Sequence, residues 1–81
     1  MEANFSGIIL EEQEYKLKTG ELKKLVRMFQ EGNKQLVEIK NIPLEENLKV
    51  GVNTTVKARI QPWAYNGKVG LTCYYVEGGV Y

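Results

Sequence analysis

VKARIQPWAYNGKVGLTCYY, residues Val56 to Tyr75, is the stretch that decides how the rest of the chain is read. Its first half alternates, with Val56, Ala58 and Ile60 on one face and Lys57, Arg59 and Gln61 on the other, the period of a half-buried strand. Pro62 has no N–H to give a ladder and is expected to end regular pairing. Trp63 and Tyr65 follow, and Asn66-Gly67 is the strongest short hairpin signal in the chain. The return strand runs from Val69 to Val76, with Tyr75 expected inside beside Leu71 and Cys73, and Tyr74 outside. A basic strand face leading to exposed aromatics is a feature that binders of single-stranded nucleic acid require.

Upstream, residues 5–18 begin with the apolar run Ile8-Ile9-Leu10 and pass into alternation at Tyr15 and Leu17, opposite Lys16 and Lys18. This reads as one long strand, or two bent near Glu11-Glu12, and Thr19-Gly20-Glu21 is a tight connection. Leu22 to Gln30 is ambiguous, since Leu22, Leu25, Val26 and Phe29 have the spacing of a helical stripe. Its shortness, and the Glu31-Gly32-Asn33 loop signal after it, favour strand. Lys34 to Ile42 alternates again, Gln35, Val37 and Ile39 against Leu36, Glu38 and Lys40, and Pro43 follows. Leu44 to Val50 reads as a loop with at most one helical turn. After Tyr75, the strand is expected to give way at Gly78-Gly79.

Five strands with short turns make an all-β chain. Eighty-one residues form one domain, 1–81, with no room for a second core. The economical architecture is a small five-stranded barrel, because closure removes exposed edges. An OB-fold and an SH3-like barrel both fit.

Composition excludes several functions. No histidine is present, so no Ser-His-Asp or Cys-His arrangement and no His-ligated metal site is possible. Cys73 is the only cysteine, so no intrachain disulfide forms, and it reads as a small core residue. The dispersed glutamates Glu11, Glu12, Glu14, Glu45 and Glu46 read as solvated carboxylates and not as a metal site. The expectation is no cofactor, no metal and no catalysis. The start MEANFSG lacks the layout of a signal peptide, and no apolar run is long enough for a membrane span, so cytoplasmic residence is expected.

The net charge of +1 hides segregation. Residues 1–15 carry −4, residues 16–40 carry +4, residues 41–56 carry −1 and residues 57–81 carry +2. A nearly neutral chain with charges sorted this way is compatible with a basic groove.

From Leu17 to Val76 the chain resembles the small single-stranded DNA-binding, helix-destabilising proteins of bacteriophages, of the gene V type. The likeness rests on KLVRMFQEGNKQLVEIK, on Leu48-Lys-Val-Gly51 opening a strand, and on the aromatic hairpin tipped by Asn66-Gly67-Lys68. The near-neutral charge and the long acidic start depart from that pattern. The resemblance implies an OB-fold, a homodimer, cooperative binding of single-stranded DNA without sequence preference during phage or plasmid replication, and no enzymatic activity. A β-barrel protein–protein adaptor and an RNA-binding translational regulator remain the alternatives.

Under this reading Lys16, Lys18, Arg27, Lys57 and Arg59 meet phosphates, which carry affinity without sequence information. Phe29, Trp63, Tyr65 and Tyr74 offer platforms for bases. Each has an ordinary alternative: a solvated face for the lysines, core for Phe29, and a barrel cap or subunit contact for Trp63 and Tyr65.

Overall fold

The alternation seen in sequence becomes strand over most of the chain. A computed structural model describes residues 1–32 and 36–80, and the side chains of all of these except 77, 79 and 80. The strands are β1 (Glu2–Lys16), β2 (Leu22–Phe29), β3 (Val37–Pro43), β4 (Asn53–Tyr65) and β5 (Lys68–Val80). They close in the order β1-β2-β3-β5-β4, an OB-fold-like barrel in which β3 and β5 run parallel and the other neighbours antiparallel. Closure goes through β1, which pairs with β4 from Glu2 to Ile8 and with β2 from Ile8 to Lys16.

Period-two faces fill the interior. Ile9, Val26, Met28, Ile39, Ile42, Val56, Ala58 and Tyr75 are buried together, and Leu48 from the β3–β4 connection joins them. Segment 22–29 is strand, and its pairing with β3 is irregular. Lys24 pairs with Ile42 and Val26 with Ile39, so β3 carries an extra residue opposite Leu25. Asn41 takes the left-handed conformation this bulge needs (φ 66°), and its N–H donates to the Tyr15 hydroxyl at 2.9 Å. Leu25 and Val26 are both buried although they are neighbours in sequence.

A polar network lies in the barrel wall. Lys24, only 4% exposed, donates to the Glu46 carbonyl and pairs with Glu12 at 3.5 Å. The Tyr75 hydroxyl donates to Glu46 Oε1 at 2.8 Å and accepts from Gly78 N–H at 3.1 Å. A buried ammonium persists only where such partners replace water.

Three sequence expectations need correction. Pro62 does not end β4: it pairs with Leu71, and the strand continues to Tyr65. Ile60 N–H is bonded to Met1 C=O, and N–H groups two apart point the same way, so the Pro62 nitrogen faces an edge that β1 no longer covers. Leu71 has the parity of Cys73 and Tyr75 but is 68% exposed, because it lies beyond the rim on the protruding β4–β5 hairpin. Strand β5 passes Gly78 through a bulge to Val80. Segment 44–50 is the expected loop, with turns and no helix. The expected strand start and loop over 33–35 lie outside the described residues.

Candidate nucleic-acid interface

Pairing brings charged side chains from four strands, and Tyr74 from β5, into two rows on the outer surface. Glu11, Arg27 and Glu38 stand in register across β1, β2 and β3. Lys40, Tyr74, Arg59 and Glu2 stand in register across β3, β5, β4 and β1. The rows meet on β3, where Glu38 and Lys40 share a face and Lys40 Nζ lies 3.7 Å from Glu38 Oε1.

The second row holds a cation that no carboxylate among the described residues answers. Arg59 places its guanidinium over the Tyr74 ring, 5.8 Å from the centroid. No carboxylate pairs with it among the described residues. A cation held against a ring face is pre-positioned for both a phosphate and a stacked base. Lys57 shares the Arg59 face, but its Nζ is 3.2 Å from Glu2 Oε1. Further out on the same face come Trp63 and Tyr65, opposite Gly70 and Lys68. The Trp63 indole lies across Gly70 so closely that a Cβ there would fall 2.4 Å from a ring carbon. One indole face is thus seated on backbone while the residue stays 47% exposed.

Arg27 faces outward as expected but is not free. Its Nη1 is 2.8 Å from Glu11 Oε1, and its Nε and Nη2 are each 3.0 Å from Glu38 Oε2. The hydrogen bond to Glu11 is the largest influence raising its pKa, with the charge of both carboxylates adding to it. Two carboxylates leave little net positive field for a phosphate.

The remaining expected residues lie apart. Phe29 is exposed and lines a separate cavity with Ser6, Ile8, Gln30 and Asn53. Lys16 and Lys18 sit at the turn end of β1, opposite the end where Glu2 meets Arg59. Cys73 is half-buried against the core, and burial pushes its thiol pKa up, which makes it a poor nucleophile. Sequence reasoning missed Lys40 and Glu38 as members of this face. Their alternation predicted an outward direction, but nothing local predicted the parallel pairing with β5 that sets Lys40 beside Tyr74.

The reverse face of the hairpin is apolar. Pro62 pairs with Leu71 and Ala64 with Val69, which is 82% exposed. Among the described residues no helix is long and apolar enough to cross a membrane. No protein-family model matches the chain, and no curated protein or solved structure is significantly similar to it.

Proposed function

We propose that this chain is a non-catalytic, cytoplasmic single-stranded DNA-binding module that protects transient single strands during phage or plasmid replication or recombination. The observation that carries the reading is the unpaired Arg59 laid over Tyr74, beside Lys40 and in line with Trp63. Phosphates meet Arg59, Lys40, Lys57 and Lys68, while bases stack on Trp63, Tyr74 and Tyr65. Binding the open form in preference to duplex lowers duplex stability by mass action.

Trp63 is the only tryptophan, so its fluorescence reports a single position. Titration with oligo-dT at low salt is expected to quench it, and added NaCl to restore it. Trp63→Ala is expected to weaken binding by about 1–3 kcal/mol, the usual worth of one base–aromatic stack. An unchanged signal together with unchanged affinity in Trp63→Ala removes this residue from the interface. A parallel titration with oligo-rU decides between DNA and RNA.

The exposed Pro62, Ala64, Val69 and Leu71 surface supports a second contact. This patch is the reading's homodimer contact, and it borders Trp63, so the subunit contact and the base contact adjoin along the hairpin. Leu71→Asp puts a charge into that contact, and sedimentation is expected to show the dimer shifted to monomer. A wild-type protein that sediments as a monomer at high concentration, yet captures a different protein through this patch, turns the reading toward the adaptor.

A further inference from the structure

Between the start of β3 and the hairpin lies a cavity of about 460 Å³ whose lining includes Glu38, Lys40, Thr72 and Trp63. That volume lies within the range of roughly 300–1,000 Å³ usual for small-ligand sites. The phosphate-and-stacking reading gives the lysine and the indole a role, but it leaves the carboxylate unexplained, since an acid on such a face repels phosphate. Glu38 is held in place. Its Oε2 accepts from both Nε and Nη2 of Arg27 at 3.0 Å, which fixes the orientation of the group. Among the described residues its Oε1 has only Lys40 Nζ at 3.7 Å, beyond hydrogen-bond distance, and so retains its accepting capacity. The cavity therefore presents, side by side, a fixed acceptor and a flexible donor next to an aromatic plane.

We propose that this cavity takes one unstacked base of the bound strand and selects guanine. This inference rests on the nucleic-acid reading above. The Watson–Crick edge of guanine carries the O6 acceptor followed by the N1–H and N2–H donors, and a single strand leaves that edge open. Lys40 donates to O6, Glu38 Oε1 accepts from N1–H and N2–H, and the base plane rests on Trp63. Thymine and uracil offer one donor flanked by two carbonyls, one of which would face the carboxylate. Adenine and cytosine offer a single donor beside a ring acceptor. Only guanine satisfies the acid twice. Binding stays sequence-tolerant along the phosphate track and acquires a preference at this one position, with Arg27 acting through Glu38 as a positioning residue.

The test uses wild-type protein and short oligo-dT strands carrying one central guanine, inosine or thymine. Guanine is expected to bind about tenfold tighter than thymine, in line with the discrimination of a good polar pair to a base edge. Inosine, which lacks only the N2 amino group, is expected to lose most of that gain. Glu38→Gln is expected to bring the guanine-to-thymine ratio close to one, while raising affinity for every strand because Arg27 is released toward phosphate. Equal binding of guanine, inosine and thymine strands overturns the guanine site and leaves the nucleic-acid reading standing. So does a guanine preference that survives in a folded Glu38→Gln. Failure of all strands to bind overturns both. The wild-type comparison decides the matter even where the variant does not fold.

Discussion

Gly7→Ala is expected to lower the melting temperature of this domain by about 12–24 °C, the equivalent of about 3 kcal/mol in a chain of this size. The reason is a backbone contact and not a conformational one. A Cβ on Gly7 would lie 2.2 Å from the Phe29 carbonyl oxygen and 2.9 Å from Met28 Cγ. The methionine side chain can move, but the carbonyl belongs to β2 and cannot move alone. Gly7 sits where β1 leaves β2 and takes up β4, with Ile8 paired to Phe29 on one side and to Asn53 on the other. Opening that point to admit a methyl group loosens the strand that joins β2 to β4. Overpacking of this kind costs about 1–3 kcal/mol and sometimes more, against a total stability of about 5–15 kcal/mol. Thermal unfolding followed by circular dichroism measures it, and an unchanged midpoint would show that β1 and β2 are not this close.

Gly7 also shows the limit of what the sequence discloses. Period-two alternation made β4, β5 and β3 legible, and Asn66-Gly67 announced the hairpin, both residues having positive φ (49° and 72°). Those signals are local, and local geometry obeys them. The close approach at Gly7, the bulge at Asn41 and the parallel pairing of Lys40 with Tyr74 depend on which distant strand lies alongside. No spacing within one segment carries that information. The same holds for the interface. Lys57 and Arg59 were legible as one face because they are two apart on one strand. Cross-strand register explains the capture of Arg27 by Glu11 and Glu38, and it sets Glu2 opposite Arg59, yet the Glu2 carboxylate takes the diagonal Lys57 and leaves Arg59 without it. Pro62 misled for a related reason: its effect on a strand depends on whether a neighbour lies on its nitrogen side.

That difference between Arg27 and Arg59 sets up the sharpest test of the proposed interface. Both are arginines on strand faces, and sequence alone ranks them alike. On the proposed reading Arg59, Lys40 and Lys68 are the principal phosphate contacts, Lys57 being already answered by Glu2, and each contact on a single strand adds about 0.7 to the slope of log affinity against log salt. The expected slope is therefore about −2, and raising salt from about 50 to about 200 mM weakens oligo-dT binding about twentyfold. Arg59→Ala removes one contact, so the slope should fall by about 0.7 and the loss of affinity should be greatest at low salt. Arg27→Ala should leave the slope unchanged, because its charge is already answered by two carboxylates and releases no counterion from the nucleic acid. Fluorescence titration of the two variants across a salt series separates them. If Arg27→Ala flattens the slope and Arg59→Ala does not, the strand runs over the β1–β2–β3 row, and the Arg59–Tyr74 pair is a structural contact of the barrel wall.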